Sequence, residues 1–580
     1  MLIARQGHPL AMLSAAASLV SRLAFPGTIS RRDAAMLCLI AAIHFSALVI
    51  MAETEIGVVS KLIFLFTWGM LNFFWLAVLR RPAVAAALSM ALILALIQIS
   101  LFKYDKLLMT VNFVDLMILD SDTLAFFLTI YPDLLRRSII AALIVIPALA
   151  LVWWVDPFRV RLRIAAAGCL ICLAGAASIS VAAPTEPYHA FFSDSYISKF
   201  VNSGADSIVE YARHGFMDSD ATVADNFKLA AAGTCQPAVK PPNIILILDE
   251  SSFDITAAPG IKVPPGYGRH FRSSDGKTRS FIVEGAGGPT WFTEYAVLTG
   301  LSARSFGRFA YFVTRIAAGR VERGLPHALK RCGYKTFTLY PARGAFMSAR
   351  GFQKTAGVER FIDSKEMGAH GVEPDSYFYD QAAQTIERER GDGPLFIFSY
   401  LAANHFPWDH TFRPDLTPNW RDLGNAPHID EYIRRQGLSE RDYTAFLARL
   451  RHDFPAEQFL IVRFGDHQPD FAERIIDPTL SSPQIALHLQ AFDPRYFTTY
   501  YAIDTVNYKP ADMSSALDTL EAPYLPLVIQ EAAGLPLDPT FAEQKKVLTR
   551  CQGRFFLCAN GAEARRFNRL LIDAGMIKGL

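Results

Sequence analysis

The sequence predicts a five-helix membrane domain followed by an extracytoplasmic α/β domain. The chain has 580 residues and is 51% hydrophobic, and its apolar residues are concentrated in the first third. From Pro241 onward, short apolar runs alternate with helical patterns, which is typical of a sheet covered by helices. Polar residues rich in carboxylates and imidazoles follow several of these runs. This pattern indicates a functional site at one edge of the sheet.

The predicted membrane spans each contain about 20 mostly apolar residues, the length needed to cross a bilayer. Consecutive runs of this kind with almost no internal charge do not fit the buried helices of a soluble protein. They also contain few of the charged or helix-breaking features expected of a transporter. The five predicted spans are Ala34–Ala52, Gly57–Leu79, Ala83–Phe102, Ser138–Val155 and Leu162–Ala183.

Basic residues predict the orientation of the spans, because Lys and Arg are retained on the cytoplasmic side. Such residues precede the first span and occupy the loops after the second and fourth spans, whereas the loop after the first span carries only Glu53 and Glu55. The basic residues are Arg5, Arg22, Arg31, Arg32, Arg80, Arg81, Arg159 and Arg161. We therefore expect a cytoplasmic N-terminus and an external location for the chain after Ala183. The apolar run Pro9–Ser21 resembles a signal peptide, but its basic flanks favour an uncleaved tail.

The predicted domain organisation has four parts. Residues 1–33 form a cytoplasmic tail, residues 34–183 the membrane domain, residues 184–240 a linker and residues 241–580 the external domain. The linker contains a predicted amphipathic helix over about Ser195–His214.

One loop between spans is apolar but interrupted by acidic residues. The loop is Lys103–Pro132, and the acidic residues are Asp115, Asp120 and Asp122. It fits either amphipathic helices on the outer leaflet or a packed re-entrant connection.

The cysteines predict an oxidising environment for the external part. Three of the seven lie in predicted spans, and the remaining four, Cys235, Cys332, Cys551 and Cys558, are external. An even number in an oxidising compartment permits disulfides. Pairing of Cys551 with Cys558 would close a small loop, which leaves Cys235 to pair with Cys332.

The external domain contains four clear strand patterns and four helical patterns. The predicted strands are Asn243–Leu248, Tyr334–Tyr340, Leu395–Tyr400 and Phe459–Phe464. The predicted helices are Val321–Arg331, Asp375–Arg390, Glu440–His452 and Ala511–Ala533.

Polar residues directly follow three of these strands and predict a metal site. The runs that follow are Asp249–Ser252, Ala403–His405 and Gly465–His467. We expect Glu250, Asp466 and His467 to bind a divalent ion, since oxygen and nitrogen ligands together suit Zn²⁺ or Mn²⁺, and Mg²⁺ less well. Side chains of neighbouring residues at a strand end point in opposite directions, so Glu250 is preferred over Asp249.

A Gly-rich turn, Gly285–Gly288, precedes Thr290 at a predicted helix start. Glycines let a phosphate approach the backbone, and a helix start favours anionic charge. Thr290 is therefore a candidate nucleophile whose hydroxyl the metal also binds, although such a Thr is more often only a helix cap. His405 is a candidate proton donor or phosphate ligand, with a structural loop histidine as the alternative.

Three motifs resemble the alkaline phosphatase/sulfatase superfamily, in its membrane-anchored branch of lipoteichoic acid synthases and phosphoethanolamine transferases. NIILILDESS resembles the first strand and the metal-binding Glu, and FGDHQP resembles the Asp-His metal pair. Leu298-Thr299-Gly300 has the family's spacing from the nucleophile position at Thr290. The resemblance covers most of the chain, and FGDHQP is its most specific part.

The resemblance also separates this chain from sulfatases proper. Sulfatases need a Cys or Ser that becomes formylglycine, whereas Thr290 does not allow that conversion, so sulfate-ester hydrolysis is disfavoured. GGPTWFTE is more similar to the Gly-x-Thr segment of lipoteichoic acid synthases than to the threonine segment of phosphoethanolamine transferases. The phosphoglycerol-binding segment of the synthases corresponds to Tyr340–Gly344 and Phe346–Arg350, without the family's His and acidic positions. The implied substrate-binding candidates are Arg350, Arg343, His405 and Trp291.

The resemblance implies a metal-dependent transferase of the bacterial inner (cytoplasmic) membrane with a periplasmic or extracellular catalytic domain. Thr290 would take a headgroup from a phospholipid donor and pass it to a glycan or lipid acceptor. Phosphoglycerol is the first choice of headgroup and phosphoethanolamine the second. The alternatives are a phosphodiesterase or phosphatase using water and a catalytically silent scaffold. The net charge of +2, without a basic-aromatic patch, gives no support for a nucleic-acid partner.

Overall fold

The computed structural model describes residues 30–107, 109–118, 124, 128, 131–183, 193–220, 235–237 and 240–580. Most of the predicted tail, Asp120, Asp122 and parts of the linker lie outside these residues. Contacts divide the chain into two compact units. The first contains the described residues of Met1–Gln98, Arg136–Ala183 and Asp194–Val201, and the second those of Ile99–Leu135, Pro184–Ser193 and Asn202–Leu580. The four predicted domain ranges stay predictions.

Five helices are long and apolar enough to cross a membrane, which confirms the predicted number. The helices of the N-terminal part are α1 (Arg31–Thr54), α2 (Gly57–Leu79), α3 (Pro82–Leu107), α4 (Pro132–Val155), α5 (Leu162–Ala182) and α6 (Tyr196–His214). Helices α3 and α4 extend beyond the predicted spans, the first at its C-terminal end and the second at its N-terminal end. Helix α6 is the helix predicted in the linker.

The two interior loops predicted from their basic residues meet in the first unit. Asp156 Oδ2 accepts a hydrogen bond from Ala83 N at 2.9 Å. The Val160 amide donates to Arg80 O at 3.0 Å, and Arg81 Nη1 donates to Asp156 O at 2.8 Å. These contacts place the basic loops after α2 and α4 at the same end of the helix bundle, as the predicted orientation requires.

The second unit contains an eight-stranded sheet. Its strands are β1 (Asn243–Asp249), β2 (Arg279–Ile282), β3 (Lys335–Leu339), β4 (Arg360–Ile362), β5 (Leu395–Tyr400), β6 (Phe459–Gly465), β7 (Thr498–Val506) and β8 (Thr519–Glu521). The strand order is β4-β3-β5-β1-β6-β7-β2-β8. The strands from β4 to β6 in this order are parallel, and β7 is antiparallel to both of its neighbours. Because β5, β1 and β6 are adjacent and parallel, their carboxyl ends lie together at one edge.

Helices cover both faces of this sheet. They are α7 (Thr290–Thr299), α8 (Val313–Ala317), α9 (Leu325–Arg331), α10 (Ala349–Thr355), α11 (Ser364–Met367), α12 (Asp375–Glu389), α13 (Pro427–Asp453), α14 (Ala472–Ile476), α15 (Ser482–Gln490), α16 (Leu525–Ala532), α17 (Pro539–Cys551) and α18 (Ala562–Asp573). Strand β1 is buried on both sides: Leu246 packs in the core that contains α7, and Ile247 packs with residues of α12 and α13. Burial on both faces explains the uninterrupted apolar sequence of β1.

The structure corrects three predicted helices. The predicted helix Ala511–Ala533 is wrong over its first half, because Thr519–Glu521 pairs with β2 as a strand and only Leu525–Ala532 is α-helical. Pro523 has no amide hydrogen to donate within a continuous helix. The helix predicted at Glu440 begins earlier, at Pro427, and the helix predicted at Val321 begins later, after Gly324 in an extended conformation.

The described part of the Lys103–Pro132 loop packs within the second unit. Phe113–Ile118 forms a 3₁₀ helix, and Val114 is buried in the main core. Lys103 Nζ lies 2.7 Å from Asp115 Oδ2, and Phe113 N donates to Ser203 Oγ at 2.8 Å. Of the two alternatives, these contacts favour the packed connection for this part of the loop.

Both predicted disulfides are formed in the structure. Cys235 is bonded to Cys332, and Cys551 is bonded to Cys558. The first joins the end of the linker to the residue after α9, and the second closes a short loop after α17.

Candidate metal centre and active site

Three side chains meet where β1 and β6 end. Asp249 and Gly465 are register partners at the ends of these strands, so Glu250 and Asp466 follow at equivalent positions. One ligand atom from each of Glu250, Asp466 and His467 lies within 4.8 Å of the others, and all three residues are buried. We call these residues the metal cluster. The predicted ligand set is thus brought together at the carboxyl edge of the sheet.

A glycine lets β6 end at this position. A Cβ atom added to Gly465 would lie 1.8 Å from Ser252 O, closer than any real contact. Only glycine therefore allows the β6 backbone to approach the turn that carries Glu250 and so places Asp466 beside it.

Thr290 is the first residue of α7 and faces the metal cluster. Its Oγ1 lies 3.5 Å from Glu250 Oε2 and 3.4 Å from His467 Nε2. The preceding turn is tight, since Thr290 N donates to Gly288 O at 2.9 Å. The positive end of the α7 dipole favours negative charge at this place. A hydroxyl, an anion-favouring helix end and three potential ligands therefore converge.

Surrounding hydrogen bonds hold the ligands in orientation. Ser251 N donates to Asp466 Oδ1 at 2.8 Å, and Ser251 Oγ donates to Glu250 Oε1 at 2.8 Å. His467 Nδ1 lies 2.8 Å from Gln468 O. With Nδ1 donating to that carbonyl, the lone pair of Nε2 is directed toward the carboxylates, as in metal-binding histidines.

The electrostatics of the metal cluster are those of crowded, buried charges. Burial raises the pKa of Asp466 to about 7, and the charge of Glu250 adds to the rise. Burial opposes the charging of His467, but the Asp466 and Glu250 carboxylates outweigh it and raise the pKa of the imidazole. Burial also disfavours ionised Glu250, but the His467 hydrogen bond and the charge of His405 lower its pKa.

The residues present fit a divalent cation. Asp466 Oδ2 is buried and has no hydrogen-bond partner among the described residues. It lies 3.2 Å from His467 Nε2, while Glu250 Oε1 lies 3.5 Å from the same nitrogen. Buried carboxylate oxygens without partners are rare, and a cation between these atoms would supply the missing partner. Two carboxylates and an imidazole suit Zn²⁺ or Mn²⁺.

Asp249 lies outside this cluster. Its Oδ2 is 2.6 Å from His270 Nε2 and also accepts a hydrogen bond from the Tyr500 hydroxyl. The alternation of side chains at the end of β1 thus separates two adjacent carboxylates. Glu250 faces the cluster, and Asp249 belongs to a buried network with His270 and Tyr500.

His405 and Trp291 lie beside the centre. His405 follows β5, and its charge contributes to the lowered pKa of Glu250, so the two side chains are close. The His405 Nδ1 is 2.7 Å from Phe406 O. Trp291 Nε1 donates to Tyr311 O at 2.8 Å, and its ring packs edge-on against Tyr311 with centroids 4.9 Å apart.

The two predicted phosphate-binding arginines differ in their contacts. Arg350 Nη2 lies 2.8 Å from Asp363 Oδ2 and 2.6 Å from Glu366 Oε2, and the side chain lines a surface cavity of about 380 Å³. Neither of these carboxylates belongs to the metal cluster. Arg343 is exposed and makes no side-chain hydrogen bond or ion pair with the described residues. Both remain candidates for phosphate binding, but only Arg343 has a guanidinium without protein partners.

Sequence reasoning missed Ser251. Its hydrogen bonds to two ligands require a positive φ of 52° at this residue, and the Tyr432 hydroxyl donates to its carbonyl at 3.0 Å. The residue stands in the DESS run, directly after Glu250, but nothing in that run distinguishes Ser251 from Ser252. Only the turn geometry after β1 reveals the contact.

One family model matches part of the second unit. Residues 279–500 match the Sulfatase family. A putative cyclic beta-1,2-glucan modification protein of Rhizobium meliloti (strain 1021) is 24% identical over 238 residues, which are 39% of this chain and 36% of that protein. The chain thus matches little more than a third of the length of this curated relative.

Solved structures with a similar fold have low sequence identity. A Streptococcus pyogenes phosphoglycerol transferase in complex with sn-glycerol-1-phosphate is 14% identical, with a TM-score of 0.46 covering 60% of this chain and 89% of that one. The lipooligosaccharide phosphoethanolamine transferase A of Neisseria meningitidis is 12% identical, with a TM-score of 0.42 covering 82% and 95%. The family match confirms the predicted fold class: the α/β part of this chain contains a sulfatase-family domain, and five helices capable of crossing a membrane precede it.

Proposed function

We propose that this protein is a metal-dependent phosphotransferase that moves a phospholipid headgroup through a phosphothreonine intermediate at Thr290. The observation that carries the proposal is the position of Thr290 Oγ1, 3.4–3.5 Å from two ligand atoms of the buried metal cluster. A hydroxyl in this place is suited to nucleophilic attack on phosphorus. A bound divalent cation would lower the pKa of the Thr290 hydroxyl and neutralise charge on the phosphoryl oxygens.

The first half-reaction uses Thr290 and His405. Thr290 Oγ attacks the phosphorus of the lipid phosphodiester and loses its proton to solvent. The bond between phosphorus and the diacylglycerol oxygen breaks, and protonated His405 gives its proton to that oxygen. Diacylglycerol leaves, and the headgroup remains bonded to Thr290 through phosphate.

The second half-reaction returns the site to its starting state. An acceptor hydroxyl attacks the phosphorus, and neutral His405 takes its proton. The bond between phosphorus and Thr290 Oγ breaks, and the released alkoxide takes a proton from solvent. Trp291, packed on Tyr311 and Phe346 beside the nucleophile, forms an apolar wall on this side.

The donor and the acceptor follow from the location of the domain. Five apolar helices and the basic interior loops favour a multi-pass protein of the bacterial inner membrane with an external catalytic domain, which raises the effective concentration of a lipid donor. The similarity of GGPTWFTE to lipoteichoic acid synthases favours phosphoglycerol over phosphoethanolamine. The Rhizobium meliloti relative is named as a putative cyclic beta-1,2-glucan modification protein, which supports a glycan acceptor over a lipid acceptor.

Two alternative functions can be distinguished from a transferase by experiment. A phosphodiesterase or phosphatase would use the same metal cluster with water as the acceptor. A silent scaffold would have no reason to retain an aligned nucleophile, yet Glu250, Asp466, His467 and Thr290 lie within contact distance of one another.

Intact-protein mass spectrometry tests the proposal. The full-length protein is incubated with Mn²⁺ or Zn²⁺ and with phosphatidylglycerol or phosphatidylethanolamine, beside Thr290→Ala. We expect a covalent mass increment in the wild type that is absent from Thr290→Ala, with a size that identifies the headgroup. Free headgroup without an adduct or a glycan product would indicate the hydrolase. Neither adduct nor product with any lipid would indicate the scaffold.

A further inference from the structure

A carboxyl group outside the metal cluster is buried without a partner. Glu473 in α14 is only 6% exposed, and its side chain makes no hydrogen bond or ion pair with the described residues. Burial raises its pKa to about 8, and the charge of Asp470 adds to the rise. Near neutral pH this carboxyl is therefore mostly protonated and offers one donor and free acceptor positions. Buried polar side chains without partners are uncommon, and each one needs an explanation.

Glu473 faces the turn that presents the nucleophile. A Cβ atom added to Gly287 would lie 3.6 Å from Glu473 Oε1 and 3.6 Å from Asp470 Cα. Gly287 has a positive φ of 68°, and the residue after it accepts the hydrogen bond of Thr290 N. The carboxyl thus lies against the backbone that positions Thr290.

Aromatic rings border the same place. The charge of Asp470 acts on the pKa values of Tyr131 and His428 as well as on that of Glu473, so these side chains lie near it. The His428 ring packs against Phe471 with centroids 5.1 Å apart.

The rings continue toward the proposed proton donor. Tyr131 stacks on Phe406 at 6.3 Å, and Phe406 stacks on His405 at 4.3 Å. The carboxyls therefore border the Gly-rich turn, and a row of rings connects the surroundings of Asp470 with His405. Apolar walls with a few directed polar groups are typical of small-ligand sites.

We propose that Glu473 and Asp470 form a subsite for the hydroxyl groups of a polyol that is presented to Thr290. The inference rests on the proposed transfer through Thr290 and adds the class of group that is recognised. A glycerol headgroup and a sugar acceptor share this chemistry, since both offer hydroxyls that donate and accept hydrogen bonds. An ammonium headgroup can only donate hydrogen bonds, so it offers no acceptor for the hydroxyl of the protonated carboxyl, which a site built for hydroxyls disfavours.

The test replaces the carboxyl with an apolar group of similar size. Glu473→Leu removes all hydrogen bonding, Glu473→Gln retains donor and acceptor atoms, and Arg474→Leu is the control, because Arg474 is an exposed residue of the same helix. Glu473 has no protein partner to lose, so we expect Glu473→Leu to melt no lower than the wild type.

The rate of adduct formation is compared between phosphatidylglycerol and phosphatidylethanolamine, and the isolated adduct is then mixed with a glucan. If the subsite binds the donor headgroup, Glu473→Leu lowers the phosphatidylglycerol to phosphatidylethanolamine rate ratio by about tenfold, the effect of one hydrogen bond. If it binds the acceptor, the adduct forms normally and its transfer to the glucan slows by about tenfold. Both results support the proposal, provided that Glu473→Gln recovers most of the loss.

The subsite would be overturned if Glu473→Leu had the same rates as Arg474→Leu. It would also be overturned if Glu473→Leu slowed adduct formation with both lipids and transfer to the glucan by the same factor. A selective loss with phosphatidylethanolamine would overturn it as well, since that result would indicate an ammonium site. Melting curves with glycerol phosphate and with phosphoethanolamine give an independent readout. If the wild type forms no adduct, the proposed function fails, and the subsite is then decided by whether Glu473→Leu selectively removes the stabilisation by glycerol phosphate.

Discussion

The metal cluster of Glu250, Asp466 and His467 contrasts with a second group of charged side chains, the arginine cluster of Arg350, Asp363 and Glu366. The metal cluster is buried, its carboxylates repel each other, and Asp466 Oδ2 has no hydrogen-bond partner among the described residues. In the arginine cluster, one guanidinium contacts two carboxylates, and its side chain is 32% exposed.

The pKa shifts follow the same division. In the arginine cluster, Arg350 donates a hydrogen bond to Glu366. This bond raises the pKa of Arg350 and lowers the pKa of Glu366, so both side chains are held in their charged forms. In the metal cluster, burial raises the pKa of Asp466 and so disfavours its charged form. Carboxylates already paired with a guanidinium need no further ligand, whereas buried carboxylates without such a partner are completed by a cation.

The largest expected effect comes from removing one ligand of the metal cluster. Glu250→Gln should abolish metal binding and lower transferase activity by at least about a hundredfold, because the Thr290 hydroxyl loses its activation. Asp249→Asn is the matched control, since Asp249 also stands at the end of β1 but bonds His270. This control should retain the metal and lose stability instead. Metal analysis and adduct formation measure both variants, and equal metal loss would show that Asp249 also supports the site.

Metal binding should stabilise the folded protein. A cation present at one hundred times its dissociation constant adds about 2.7 kcal/mol to the free energy of unfolding. We expect the melting temperature to rise with Mn²⁺ or Zn²⁺ and to fall with a chelator. Glu250→Gln should not respond, and an equal rise in that variant would place the bound metal elsewhere.

The metal-free protein should lose stability as the pH rises. Asp466 has its pKa raised from 3.8 to about 7, so the folded state retains a proton that the unfolded state releases. His467, raised from 6.5 to about 9, acts in the same direction at higher pH. The free energy of unfolding should fall from about pH 4 to 9, by at most about 1.4 kcal/mol per pH unit for each proton. Denaturant unfolding of chelated protein measures this slope, and Asp466→Asn should flatten its lower part.

The smallest expected effect concerns the two arginines. Arg350→Ala should lower the free energy of unfolding by about 0.2–1 kcal/mol, the usual range for a partly exposed ion pair. Arg343→Ala should leave stability unchanged, since Arg343 has no protein partner, and any effect should be on substrate affinity. Melting curves measure the effect on stability, and the dependence of the rate on lipid concentration measures the effect on substrate affinity. A strong loss of activity in Arg350→Ala without unfolding would mean that its ion pairs open to bind phosphate.

Much of the site was predictable because its residues stand in local patterns. Glu250, Asp466 and His467 directly follow apolar runs that form adjacent parallel strands, and the strands end at one edge. Glu473 and Ser251 could not be predicted in this way. Glu473 becomes a candidate only because the fold places its carboxyl beside Gly287. Ser251 becomes one only because its backbone has a positive φ, which the sequence does not specify.

The sequence alone determined the five apolar helices, the central strands and the positions of the candidate ligands, because hydrophobic length and periodicity are local properties. Only the tertiary structure decided which charges are partnered. It pairs Arg350 with two carboxylates, turns Asp249 toward His270, and leaves Asp466 Oδ2 without a hydrogen-bond partner among the described residues. It also made Thr519–Glu521 a strand, since pairing with β2 overrides the local helical pattern. Partners, burial and pKa values arise from residues distant in the chain, so they exist only once the chain has folded.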